Sequence, residues 1–535
     1  MCSTMNHKRS FIQIALITVI LILLTRVITL TYNRRLHPDE HVFYASVHSL
    51  SESILDPDTP FIENKEYPEG TYFFQLPFQL AGQIFRNLIG IGGTKGIQQI
   101  GRLSSVFYFI IAVLLGLRLL WRYLGKNSLS LWIYGLTMTF SLFFIEQSRY
   151  GTGDTITLML VMLLITLTAH ALESDAENKW WAAGFFVSGI LGAVKYPQLV
   201  FILIPLAAFL SRPGTRKASR LILFLLAVIA GFFLFSPKAL QDPGYILRVI
   251  DREATAYSVS NFGIGGPVNH LLNLCLYLLL YSDFPLLPMV ILIGFVRRFF
   301  SLFSLYKTAA AKSGTALLFE YIIPGVCLFF FVYNLFVSTQ FFRTYTPFFG
   351  MMALYTAAAA ETLFSKNKRC QTAVLLLAVC MILRSMAFVW ILSDDRKIQE
   401  KFSAIVSGAV DENWTQTWYT NLFCFRIPEE SGISVHDYYT LDPLVEYNSS
   451  YTIQPGQLVI TGAQAYHRGR PYLINLDDPY ESSAQIWSDF KRANHEYYVG
   501  QLYPDSYYYL FGGWIRGSTL SQYEFPCHYI YYRSQ

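Results

Sequence analysis

Two adjacent carboxylates, Asp39 and Glu40, stand in Leu36-His37-Pro38-Asp39-Glu40-His41, directly after the first long apolar run. Acidic groups are costly at the edge of hydrocarbon, and where they are kept there the default reason is function. A carboxylate so placed can accept a proton from an attacking group. The blander reading is a solvated helix start, because Asp and Glu suit a first turn and Pro38 suits entry into a helix. His37 and His41 flank the acids and could join them on a metal, but the spacing is not diagnostic and a surface role competes.

Five further charged residues fall at the ends of apolar runs. Arg102 opens one run in Gly101-Arg102-Leu103, and Arg149 and Asp154 share the stretch Gln147-Ser148-Arg149-Tyr150-Gly151-Thr152-Gly153-Asp154. Lys195 sits in the interruption Lys195-Tyr196-Pro197, and Arg343 in Phe341-Phe342-Arg343-Thr344-Tyr345-Thr346-Pro347. Cations can bind a phosphate and stabilise its leaving charge, while a carboxylate takes the proton of the attacking group. Each residue has an ordinary alternative. Arg102 and Arg149 could snorkel to headgroups, Asp154 could cap the helix it begins, and Arg343 could be an interfacial anchor. For Lys195, depth and the Tyr-Pro neighbours favour function.

The elements that must position these groups are membrane spans. The 535-residue chain is 53% hydrophobic and only 14% charged, with a mean hydropathy of +0.35. Soluble domains carry about 25% charged residues. Apolar runs near 10–32, 103–123, 129–147, 155–172, 180–195, 197–211, 220–236, 271–296, 317–337, 347–364 and 371–392 predict about eleven spans. Lys and Arg collect in alternate loops, which the positive-inside rule makes cytoplasmic. The N-terminus is then inside, and Asp39 and Glu40 face outward. The first run is taken as an anchor, not a removed signal peptide. The net charge of +5 is small and spread over short loops, which speaks for topology and against nucleic acid.

Within the first outer loop, 33–102, two stretches predict interfacial helices. Residues 39–52 carry apolar side chains near helical spacing, and 71–88 are apolar but broken by Pro77, three Gln and Arg86. The Lys195-Tyr196-Pro197 interruption predicts two short helices meeting near the outer surface. Beyond residue 392 the composition changes. Strands are expected at 457–461 and 528–532 and a helix over 395–412, so 393–535 reads as a small extracytoplasmic α/β domain. Its many Tyr suit packing onto a membrane face or stacking on sugars. Cys424 and Cys527 could pair there in an oxidising compartment.

Taken in order, these motifs resemble the GT-C membrane glycosyltransferases, in the branch of the protein O-mannosyltransferases and the lipid A aminoarabinose transferase. The likeness is carried by Asp39-Glu40, Tyr67-Pro68-Glu69-Gly70, Arg102-Leu103-Ser104-Ser105, Ser148-Arg149 through Asp154, Lys195-Tyr196-Pro197 and Arg343-Thr344-Tyr345-Thr346-Pro347. Glu69 departs from a second Pro, and the sugar-binding repeat insert of the protein mannosyltransferases is absent. The resemblance implies a transmembrane catalytic module over 1–392 in a plasma membrane. It implies an inverting transfer of sugar from a polyprenyl-phosphate donor to a lipid, glycan or protein acceptor. Asp39 would be the base, with Glu40 and Asp154 orienting substrate or helping to hold a divalent metal. Arg102, Arg149, Lys195 and Arg343 would grip the donor phosphate. A flippase for a lipid-linked sugar is the competing class, but transporters place charges near the midplane and show repeated halves. A membrane-anchored glycan-binding scaffold would leave the membrane-side motifs unexplained.

Overall fold

The computed structural model describes residues 2–27, 38–56, 58–61, 68–89, 97–124, 128–173, 178–212, 218–242, 244–258, 314–335, 342–364 and 368–392, single residues 268 and 271, and parts of the tail within 400–419, 452–461, 488–501 and 529–534. The expected span 271–296 and both tail cysteines lie outside the described residues.

The chain is a polytopic helical membrane protein. Helix α1 (Cys2–Val27) is followed by α2 (Pro38–Leu55) and α3 (Gly70–Leu88). Then come α4 (Ile97–Leu119), α5 (Ser128–Phe140), α6 (Leu142–Gln147), α7 (Asp154–Glu173) and α8 (Asn178–Val194). A 3-10 segment, Tyr196–Ile202, leads into α9 (Leu203–Leu210) and α10 (Ala218–Phe235), and the short α11 (Pro237–Gln241) precedes α12 (Gly244–Ser258). The last group is α13 (Ile323–Leu335), α14 (Thr346–Phe364) and α15 (Lys368–Leu392). By length and composition, Ser10–Val27, Gln99–Arg122, Asp154–Glu173 and Gly314–Leu335 can each cross a bilayer, and shorter apolar helices accompany them.

Helix α7 is the axis of the bundle. Sixteen of its twenty residues are buried, because it packs against α4, α8, α9 and α14 at once. A helix apolar on every side is what such a position requires. Helices α8 and α10 cross closely: a Cβ on Gly189 would meet the Val228 carbonyl, and one on Gly231 the Phe186 carbonyl. Small residues at a lipid-embedded crossing allow this approach.

Two expected spans are modified. The run 129–147 is broken at Ser141, whose backbone is extended (φ −65°, ψ 127°). The freed carbonyls at the end of α5 must find donors inside the protein, since the bilayer offers none. Arg26 of α1 supplies two, bonding the carbonyls of Met138 (2.9 Å) and Thr139, and Ser385 of α15 bonds that of Phe140. The second change is at Lys195, an extended residue (φ −159°, ψ 108°) just after α8, beyond which Tyr196-Pro197 open a 3-10 turn and not an immediate α-helix.

Helices α2 and α3 form the pair expected in the first outer loop. The polar side chains of α3 turn inward: Gln75, Gln79, Gln83 and Arg86 are buried, while Ile84, Phe85 and Leu88 are exposed. In the tail a mixed sheet has the order β1-β2-β4-β3, with β1 Gln416–Tyr419, β2 Gln457–Thr461, β3 Tyr498–Gln501 and β4 Tyr529–Tyr532. β1 runs parallel to β2, and the other pairings are antiparallel. The tyrosines of β4 are buried in this sheet, with Tyr531 edge-on to Phe490 at 5.5 Å.

Candidate active site

The loop Ser148–Gly153 between α6 and α7 is where the charged residues meet. Four helix ends hold it. Arg26 donates Nε–H to the Ser148 hydroxyl at 3.0 Å. Gln75 Nε2 donates to the Gly151 carbonyl at 2.9 Å. The Gly151 N–H donates to Glu40 Oε1 at 2.7 Å. Thr152 Oγ1 donates to Asp154 Oδ2 at 2.9 Å. Two glycines make the fit possible. A Cβ on Gly151 would lie 3.3 Å from the Gly101 backbone, and one on Gly153 would lie 2.7 Å from the Thr71 hydroxyl. On the far side, Gly70 lets the start of α3 press on the backbone of Ala193 and Val194, where an added Cβ would come within 2.7 Å.

Two ion pairs flank the loop. Glu40, on the first turn of α2, receives Arg102 side-on: Nε bonds Oε1 at 2.9 Å and the terminal nitrogen bonds Oε2 at 2.8 Å. Both side chains are sealed, at 1% and 0% exposure. Such a two-point pair is strong only because geometry and additional hydrogen bonds offset the desolvation of both charges. The Gly151 amide is one of those additional bonds. Across the loop, Lys195 Nζ lies 2.8 Å from Asp154 Oδ1, with Asp154 4% and Lys195 23% exposed. Arg343, half-buried, bears electrostatically on the same carboxylate. The helix entry that makes Asp154 the first residue of α7 and the break that ends α8 at Val194 therefore aim two spans at one point.

The expected residues fall into distinct settings. Glu40 and Arg102 neutralise one another in the interior. Arg149 is also buried, 5.9 Å from the ring centroids of both Tyr150 and Phe388. Tyr150 lies within electrostatic reach of Glu40, Arg102, Glu146 and Arg149, which ties these groups into one cluster. Asp154, Lys195 and Arg343 form the second cluster, and of the four expected cations only Lys195 and Arg343 keep accessible surface. Asp39 lies in the first turn of α2, but its side chain, like those of His37 and His41, lies outside the described residues.

Sequence reasoning passed over Arg26, Gln75, Gly70 and Gln198. Arg26 had a usable signal, because an arginine inside an apolar run is expensive unless partnered. Gln75 had a weaker one, as the first member of an i, i+4, i+8 series with Gln79 and Gln83.

Glu40 and Asp154 each face a cation at 2.8 Å, and among the described residues no group of three His, Cys, Asp or Glu could hold a metal. Each of these two carboxylates is thus committed to a cation.

Residues 95–240 match the model of a family described as dolichyl-phosphate-mannose-protein mannosyltransferase. That segment holds Arg102, Arg149, Asp154 and Lys195. Among solved structures the chain is similar to ArnT from Cupriavidus metallidurans bound to undecaprenyl phosphate (14% identity, TM-score 0.46, 73% of this chain and 71% of that one). It is similar to the apo state of the same protein (12% identity, TM-score 0.41, 84% and 93%). It also resembles the Archaeoglobus fulgidus oligosaccharyltransferase complexed with Zn and sulfate (12% identity, TM-score 0.42), covering 74% of this chain and 56% of that one. No curated protein matches the sequence.

Proposed function

We propose, starting from a chain whose central segment matches a glycosyltransferase family, that it moves a sugar from a polyprenyl-phosphate carrier to an acceptor at the extracytoplasmic face. The observation that carries this is the meeting of Asp154, Lys195 and Arg343 at the start of α7, beside the loop Ser148–Gly153. An ammonium has three N–H donors, and Asp154 takes one of Lys195's. The other two, with the Arg343 guanidinium, suit the oxygens of a phosphate ester. As the anomeric carbon–oxygen bond breaks, negative charge grows on that phosphate, and fixed cations lower the barrier most when they are placed before the reaction.

The attacking group is a hydroxyl or amine of the acceptor. Its oxygen or nitrogen forms the new bond to the anomeric carbon, its proton goes to the Asp39 carboxylate, and the polyprenyl phosphate departs with the bonding electrons. One displacement inverts the anomeric configuration. Glu40 sits next to the base and is held by Arg102. Arg102, first expected on the phosphate, is better used as a strut, since both its bonding nitrogens already face Glu40. Arg149 acts likewise from the interior. Residues 1–392 form the catalytic module with the N-terminus cytoplasmic, and 393–535 form an outer domain.

The test is transfer of radiolabelled sugar from a polyprenyl-phosphate donor in membranes carrying wild type or Asp39→Asn. Loss of the base is expected to slow turnover by at least about 100-fold. Turnover near wild type removes Asp39 from the role.

A further inference from the structure

Lys195 and Arg343 ride on separate short segments. Lys195 precedes the 3-10 turn Tyr196–Ile202, and Arg343 lies within the 3-10 turn Phe342–Tyr345. An apolar wedge holds the two turns side by side: Phe201 stacks on Phe330 at 5.4 Å, and Phe330 meets Tyr345 edge-on at 5.9 Å. Aromatic packing fixes proximity but sets the spacing of two cations only loosely, because rings slide at little cost.

A polar tie crosses that wedge. Gln198 donates its main-chain N–H to the Lys195 carbonyl at 2.8 Å, and its side-chain Nε2 to the Thr344 carbonyl, next to Arg343, at 3.2 Å. The residue is 1% exposed. Its Oε1 has no hydrogen-bond partner among the described residues. A leucine of similar size would remove that oxygen but would also take the donor from the Thr344 carbonyl, so the glutamine is kept at a mixed cost to folding.

We propose that Gln198 is a positioning residue: it sets the separation of Lys195 and Arg343 so that both engage one phosphate, a role that rests on the transferase assignment above. It does not touch the reacting atoms. Its effect passes through the two cations, and that indirectness is measurable.

The experiment uses the full chain in proteoliposomes with a labelled polyprenyl-phosphate sugar, comparing wild type, Gln198→Leu, Arg343→Gln and the double variant. Gln198→Leu is expected to lower kcat/KM about tenfold, mostly through KM for the lipid donor, at a temperature where every variant is folded. In the Arg343→Gln background the same change should cost no more than about twofold, because the tie then has one cation fewer to place. Gln198→Met, which also lacks the donor but keeps an unbranched side chain, should show the same KM effect. Wild-type kcat/KM in the leucine variant, or an undiminished tenfold loss in the Arg343→Gln background, overturns the positioning role. If wild type itself releases no label, the transferase assignment fails first and takes this role with it.

Discussion

Replacing Arg102 by Leu separates two uses of a buried arginine. In the folded protein its guanidinium contacts both oxygens of Glu40, and neither side chain sees solvent. Removing one partner of such a pair strands the other charge, which costs about 3–5 kcal/mol. The Gly151 N–H still reaches Glu40 Oε1, so the figure should fall toward the lower end. Adding Glu40→Gln removes the stranded charge while keeping an oxygen for that N–H. The remaining penalty is an amide NH2 without a partner, about 1–3 kcal/mol. The double variant should therefore be more stable than Arg102→Leu alone. If Arg102 is a strut, transfer should return with stability, to within about tenfold of wild type. Thermal unfolding in detergent gives the first quantity, and label transfer in proteoliposomes the second. A double variant that is well folded yet inactive would mean that Arg102 contacts the substrate, and the strut assignment would be wrong.

Arg26→Leu should lower the unfolding temperature, because it strands the carbonyls of Met138 and Thr139, at about 1–3 kcal/mol each; unchanged unfolding would show that the α5 break does not depend on Arg26. His48 accepts from Gln83 Nε2 at 2.6 Å and reaches Glu52 at 3.1 Å. Burial, with Arg86 adding to it, holds its imidazole below the ordinary 6.5 despite Glu52, which pulls the other way. A lowered histidine contributes stability that is present above pH 6.5 and is lost as pH falls through its folded value. The unfolding temperature of wild type should therefore drop more steeply than that of His48→Gln between pH 7 and 5; parallel curves would remove His48 from the α2–α3 contact.

Much of the architecture was legible because membrane helices announce themselves by length. The stop at Lys195-Tyr196-Pro197 was readable from proline chemistry, and strands at 457–461 and 529–532 from their β-branched and aromatic residues. The break at Ser141 was not readable. Nothing local ends the helix there; Arg26 and Ser385, more than a hundred residues away on either side, take its carbonyls. The inward turn of Gln75 and Gln83 was hidden for the same reason, because their partners, the Gly151 carbonyl and His48, come from elsewhere in the chain. For the site, sequence spacing identified Glu40, Arg102, Asp154, Lys195 and Arg343 as charged groups at helix ends. It could not say that they sort into a sealed pair and an open one. That division depends on which side chains reach each other, and so on the glycines at 70, 151 and 153 that let the backbones approach.

In the proposed reaction Lys195 and Arg343 together receive the phosphate of a lipid-linked sugar. The direct measurement is single-turnover release of labelled sugar from a polyprenyl-phosphate donor by purified protein, comparing wild type with a Lys195→Ala, Arg343→Ala double variant that is shown to be folded. Wild type should release label, and the variant should lose about 100-fold or more. Equal rates in the two proteins, or a wild type that leaves all label on the lipid, would contradict it.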